Sequence, residues 1–225
     1  MVATDSRPVH TTGTILPVKM VMLNQLIAMG QRRIGLTGGI ASGKSSVGKL
    51  LQEKYGLLVL DADRYARAAL APGTTASKAV LNRYGQKLFC GDHLDRRALG
   101  DLVFNNPTER IWLEQLVHPI VRQKIVEELK KSTTIETIVL MIPLLFEAGL
   151  ESLCTEIWLV DCDENQQLER LIARDICTNE QALARINAQW PLARKRLLAD
   201  RLINNRGSSA ELENHVALAL DHPEA

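Results

Sequence analysis

The sequence predicts an α/β fold, with a mainly parallel central sheet and helices on both of its faces. Three observations point there. Short apolar runs are bounded by turn residues, as expected of strands buried on both sides. They alternate with longer stretches whose apolar residues recur at helical spacing, the pattern of strand-helix-strand units. Between the first run and the first helix lies a glycine-rich turn, Gly38 to Gly43, followed at once by Lys44 and Ser45.

Arg33 to Thr37 reads as the first strand, and Lys44 to Tyr55 as the helix after the glycine turn. Beyond Gly56, Leu57 to Leu60 forms a second buried strand that stops at Asp61-Ala62-Asp63, so two acids close a hydrophobic run before a helix from Arg64 to Leu70. Pro72-Gly73 breaks the chain. Ser77 to Tyr84 and Asp95 to Phe104 are helical, and Gly85, Gly91 and Asp92 punctuate the loop between them. Thr108 to Lys131 carries apolar residues at helical spacing, and Pro119 is expected to kink or divide it. Ile138 to Leu145 is a third strand, broken late by Pro143, and Glu156 to Val160 is a fourth, ending at Asp161. The last third is helical and rich in arginine: Glu164 to Asp175, Asn179 to Gln189, Pro191 to Ala199 and Ala210 to Ala219, with Leu202-Ile203 as one more short strand.

Length and charge bound what this fold can do. A chain of 225 residues buries on the order of 70% of its unfolded surface, enough for one core and one domain. The formal charge of +1 offers no global field toward nucleic acid or an anionic membrane, and neither partner is expected. Cys90, Cys154, Cys162 and Cys177 lack C-x-x-C spacing and read as reduced thiols rather than a zinc site or a disulfide framework. No apolar run approaches the ~20 residues that span a bilayer, so a soluble cytoplasmic protein is expected. Residues 1–31 read as a flexible N-terminal extension, and Met20, Met22 and Met29 make a later translation start the expectation. The catalytic domain then covers residues 32–210, with a C-terminal helix and tail over 211–225.

The glycine turn carries the chemistry. Gly38 to Ser45 satisfies G-x-x-x-x-G-K-[ST], with the strand before and the helix after that a phosphate-binding loop requires. Backbone N–H groups at a helix N-terminus can surround a phosphate only where glycines remove obstructing side chains. Gly39, Ile40, Ala41, Ser42, Gly43, Lys44, Ser45 and Ser46 are therefore the candidate nucleotide-binding residues. Lys44 adds a point charge at the β and γ phosphates, and Ser45 offers a hydroxyl to Mg²⁺, so a magnesium nucleoside triphosphate is implied. N-K-x-D and D-x-x-G motifs are both lacking, which argues against a guanine-nucleotide switch. A strand parallel to the first would bring Asp61 and Asp63 to the phosphate edge of the sheet. There Asp63 can accept the proton of an attacking hydroxyl or hold Mg²⁺ through water, with Asp61 orienting its neighbour; the alternative is that both only cap the next helix. Asp161 resembles the end of a Walker B strand, and the alternative is that Asp161 to Asn165 form the N-cap that opens the next helix.

With further segments the sequence resembles the dephospho-coenzyme A kinase family. The matching pieces are Leu36 to Ile40 leading into Ser42 to Ser45, Asp61-Ala62-Asp63, Leu94 to Leu99, His118-Pro119, Pro143 to Glu147, Gln167 with Arg170, Arg174-Asp175, Arg185 with Gln189, and Ala199-Asp200 through Ile203, Asn205 and Gly207. They span residues 33–210. The resemblance implies a three-layer P-loop kinase fold with a helical substrate-binding subdomain and a helical lid at about residues 165–190. It implies transfer of the ATP γ-phosphate to the ribose 3′-hydroxyl of dephospho-coenzyme A, the final step of coenzyme A synthesis, with Mg²⁺. Asp63 then matches the catalytic base, Lys44 and Arg170 act on the transferring group, and Asp61, His118, Arg122, Glu147 and Arg174 fall to the acceptor. Ser46 stands where many relatives have Thr. The alternatives are another P-loop small-molecule kinase, acting on a nucleoside or nucleotide, and a nucleotide-regulated binding protein.

Arg170 and Arg174, four residues apart, share a helical face and can both point into a cleft, and Asp175 can pair with either. Arg194, Lys195, Arg196 and Arg201 stand beside Leu192, Leu197 and Leu198 and read as the solvated face of an amphipathic helix.

Overall fold

The apolar run that opens the domain becomes the centre of the sheet. In the computed structural model, which describes residues 30–221, β1 (Arg32–Gly38) lies between β5 (Thr137–Met141) and β6 (Glu156–Asp161) and is parallel to both. β2 (Leu58–Asp61) pairs with β5, and β7 (Arg201–Asn204) with β6, giving the order β2-β5-β1-β6-β7, parallel throughout. Gly38, Asp61, Met141, Asp161 and Asn204 therefore end their strands on one edge.

Period-two alternation decides what covers each face. Ile34 and Leu36 of β1 join Val139, Trp158 and Val160 beneath Val47 and Leu51 of α1 (Lys44–Glu53) and Leu212 and Val216 of α9 (Ser209–Asp221). On the other face Leu145 and Cys154 close over Gly35, and Leu192 of α8 (Leu192–Arg196) packs on Leu159. This makes the three layers. α2 (Ala62–Ala69) and α4 (Arg96–Asn105) pack on the long α5 (Pro107–Lys131), and α6 (Glu164–Asp175) packs on α7 (Asn179–Asn187), which also touches α4. α3 (Thr75–Tyr84) follows α2.

Several expected elements differ in detail. The Asp61 carboxylate accepts the Asp63 N–H at 2.9 Å, so α2 starts at Ala62 with no loop after β2. Pro119 does not divide α5. Pro119 and Gln115, one turn before it, are exposed, so the carbonyl that loses its donor can take water, while Val117, Val121 and Ile125 anchor the turns on either side. β5 stops at Met141, ahead of Pro143. Within the expected cap segment Asp161 to Asn165, Asp163 stands at the N-cap of α6, where the Gln166 side chain accepts its N–H. The loop punctuated by Gly91 holds a hairpin of β3 (Phe89–Cys90) and β4 (His93–Leu94) that was not expected.

All four cysteines are free, and burial pushes the Cys154 thiol up to about 12. Among the described residues no helix is long and apolar enough to cross a membrane. Residues 1–29 of the expected N-terminal extension, with its candidate start sites, and the tail beyond residue 221 lie outside the described residues, whereas Gln31, expected to belong to the flexible extension, is buried and donates to the Ser132 and Ile135 carbonyls at 2.8 Å each.

Gly35 tests the packing of the central strand. A Cβ there would lie 2.5 Å from Cys154 Sγ and 2.9 Å from Leu145 Cδ1. Gly35→Ala is expected to cost about 1–3 kcal/mol by overpacking, read as a lower urea midpoint at unchanged m-value; an unchanged midpoint would show that the layer above β1 yields freely.

Candidate active site

At the end of β1 the chain turns through the glycine loop into α1. Ala41 takes φ +58° and Gly43 φ +102°, and the Ser42 N–H closes a turn on the Gly39 carbonyl at 3.2 Å. Residues from far along the chain wall the loop. Asn205 Nδ2 donates to the Ser42 carbonyl at 2.8 Å, and a Cβ on Gly43 would lie 2.0 Å from that nitrogen. Gln189 Oε1 accepts the Ile40 N–H at 2.9 Å, and the buried Gln167 side chain lies where a Cβ on Gly39 would go. Both left-handed φ and close approach thus forbid a side chain at Gly43.

Lys44 is buried, and its Nζ donates to the Gly38 and Gly39 carbonyls at 3.2 and 2.6 Å. Burial, then the nearby Lys195 ammonium, lowers its pKa from 10.5 to about 8. Ser45 and Ser46 are exposed in the first turn of α1.

Asp63 opens onto the same edge. Partial burial and the Asp61 carboxylate raise its pKa, while Lys44, Arg67 and Arg174 oppose the rise. Lys44 and Asp63 each feel the other's charge. Beside Asp63 is a cavity of about 200 Å³, mostly apolar, lined by Ala66, Val117, His118, Pro143 and Leu144 among others. His118, Glu114, Ala148 and Leu150 are shared with a second cavity of about 440 Å³, which adds Arg122 and Glu147. The expected acceptor residues His118, Arg122 and Glu147 are therefore brought together. Burial pushes the His118 imidazole below its usual range, against the pull of Glu114 and Glu147.

From α6, Arg170 Nη2 donates to the Asn205 carbonyl at 3.0 Å, whereas its Nη1 is buried without a partner. Arg174 is half-exposed and pairs with Asp175 at 2.7 Å, yet its charge reaches both Lys44 and Asp63. Asp175 is shared with Arg185 at 2.6 Å, which also meets Asp101 of α4 at 3.2 Å.

One feature was misjudged from sequence. Lys195 is not on a solvated face: it is fully buried, 2.7 Å from Glu147, while Leu197 and Leu198 are exposed. The spacing held the signal, since Lys195 lies three residues after the buried Leu192. Asp161 ends β6 as expected and the cap of α6 falls to Asp163 within the expected segment, while Arg196 and Arg206 take the two oxygens of Asp161 at 2.8 and 2.9 Å.

Buried polar atoms without partners mark places a ligand can satisfy. Ser42 Oγ, Glu147 Oε2 and Arg170 Nη1 are such atoms, in the loop, the acceptor wall and α6. Among the described residues no cluster of three or more His, Cys, Asp or Glu could hold a metal alone. A hydroxyl at Ser45 and carboxylates at Asp61 and Asp63 are hard oxygen donors that suit Mg²⁺ carried in on nucleotide phosphates.

A family model described as dephospho-CoA kinase matches residues 32–211. A dephospho-CoA kinase of Synechococcus sp. (strain CC9605) is 61% identical over 179 residues, 79% of this chain and 86% of the relative. One from Synechocystis sp. (strain ATCC 27184 / PCC 6803 / Kazusa) is 48% identical over 193 residues, 85% of this chain and 96% of the relative. Among solved structures, TT1252 from Thermus thermophilus matches with a TM-score of 0.71 at 37% identity, covering 85% of this chain and 97% of that one. The dephospho-CoA kinase from Campylobacter jejuni gives 0.61 at 27% identity, covering 84% and 95%.

A lysine that titrates near 8 in the free site must take up a proton to meet a phosphate at alkaline pH. The dissociation constant for ATP is expected to be nearly flat below about pH 7.5 and to rise by up to about tenfold per unit above 8. Calorimetry in two buffers of different ionisation enthalpy measures the uptake, and a pH-independent constant would remove Lys44 from phosphate recognition.

Proposed function

We propose, from the premise that the chain belongs to the dephospho-CoA kinase family, a division of labour among the residues at this edge. The family reaction moves the γ-phosphoryl group of ATP to the ribose 3′-hydroxyl of dephospho-coenzyme A, giving coenzyme A and ADP. Asp63 beside Lys44 at the mouth of the apolar cavity is the observation that carries the assignment of roles.

The loop amides from Gly39 to Ser46 cradle the ATP phosphates, and Lys44 exchanges its two loop carbonyls for phosphate oxygens. Mg²⁺ supplies neutralising charge on those phosphates, and Ser45, helped by Asp61, would hold it. Asp63 takes the proton of the attacking 3′-hydroxyl, and its raised pKa makes it a better base than an ordinary carboxylate. Arg170, with Nη1 free, and Arg174 meet the charge that develops on the transferring group. His118, Arg122 and Glu147 line the acceptor's side, and residues 165–190 act as the lid. A cytoplasmic location fits this reading, since both substrates are soluble small molecules.

ADP release with Mg²⁺ and ATP, with and without dephospho-coenzyme A, tests the whole; acceptor-dependent ADP and a 3′-phosphorylated product are expected. Asp63→Asn should lower kcat by ~10²-fold or more while ATP affinity stays within about twofold. A base must be ionised, so wild-type kcat/KM should fall as pH drops through the raised Asp63 pKa, at a pH above the ordinary 3.8. That acid limb should vanish in Asp63→Asn, and full turnover of the variant would exclude Asp63.

A further inference from the structure

We infer that Lys195 is a positioning residue for phosphoryl transfer, acting through Glu147 on the binding of the acceptor; the inference rests on the reading of the site given above. Its ammonium is fully buried, forms an ion pair with Glu147 Oε1 at 2.7 Å and donates toward the Pro143 carbonyl at 3.4 Å. The same Pro143 carbonyl accepts the hydroxyl of Thr37, the residue before Gly38, at 3.2 Å. Glu147 Oε1 also accepts the Trp190 N–H, at 2.9 Å. One cation thus ties together the end of β1, the segment after β5 that walls both cavities, and the approach to α8.

Burying an ammonium beside Leu192 is costly, and an apolar side chain of equal length would fill the space without that cost. What the ammonium does, and a thioether cannot, is pair with the Glu147 carboxylate and hold it in one orientation. Lys195 and the Trp190 N–H use up Oε1. Oε2 stays buried without a partner, in a side chain that lines the cavity with His118 and Arg122. A hydroxyl or N–H of the acceptor nucleotide is the donor such an oxygen lacks. Lys195 also adds positive charge behind Lys44, where a phosphate is received.

The test is steady-state kinetics of Lys195→Met, Glu147→Gln and the double variant, varying ATP and dephospho-coenzyme A separately, with thermal unfolding as a control. Each single variant should raise KM for dephospho-coenzyme A about tenfold or more and leave KM for ATP within about twofold. The double variant should be no worse than the worse single, because the pair acts as a unit. An unchanged acceptor KM, additive effects, or equal losses for both substrates accompanying a lowered Tm would overturn the inference. If Lys195→Met fails to fold, Glu147→Gln, which keeps the side-chain shape, decides by its acceptor KM alone. Wild-type protein without acceptor-dependent ADP release would instead defeat the parent reading, and this one with it.

Discussion

The site hangs from the end of β1, and the constraint on β1 is register. The strand is hydrogen-bonded along both edges and covered on both faces, so a slip by one residue would turn Leu36 toward Cys154 and bring Gly35 under α1. Only glycine fits where Cys154 and Leu145 press on the backbone, and only large apolar residues fill the opposite face. With that register locked, the glycine loop can leave the sheet at one height alone. The parallel order then delivers Asp61, Asp161 and Asn205 to the same height from three other strands.

Strand ends at one edge do not acquire the same chemistry. Asp161 is buried and both of its oxygens are held by arginines, which balance its charge and fix it in place. Asp63, the second residue of its helix, has no such partner and is raised by burial and by Asp61. The cations divide in the same way. Arg185 and Arg196 are paired with acids, whereas Lys44 is held only by backbone carbonyls and Arg170 leaves one nitrogen unsatisfied. At the glycine loop positive charge is thus left without an acidic partner, although the chain as a whole carries a formal charge of only +1.

The parts legible in the sequence are those whose backbone or spacing admits few residue types. The loop could be read because left-handed φ at Gly43 and the contact with Asn205 demand glycine. The sheet could be read because strands buried on both faces are uniformly apolar. Asp63 was legible by its place after a strand. The β3-β4 hairpin was not, since two-residue strands are too short to show any period. Lys195 was misjudged because lysine is ordinarily solvated, and only the position of Leu192 one turn earlier argued otherwise. Gln189 on Ile40 and Arg206 on Asp161 join residues so far apart in the chain that no local pattern could pair them.

The arm from α6 to α8 is anchored on both substrates' sides. Gln167, Gln189 and the Arg170 contact with Asn205 hold it to the phosphate loop. Arg185 to Asp101 holds it to α4, and Arg110 to the Ala188 carbonyl holds it to α5, which lines the acceptor side. Asp101 is 44% exposed, so that ion pair is worth no more than ~1 kcal/mol and can be broken and remade at small cost. Water competes with the 3′-hydroxyl for the γ-phosphoryl group, and only closure on both substrates excludes it. An arm tied to the loop alone could close on ATP by itself and favour hydrolysis. On the proposed roles, weak ties to the acceptor wall, together with the buried Lys195–Glu147 link at the arm's end, would let an acceptor bound at Glu147 bear on how the arm closes.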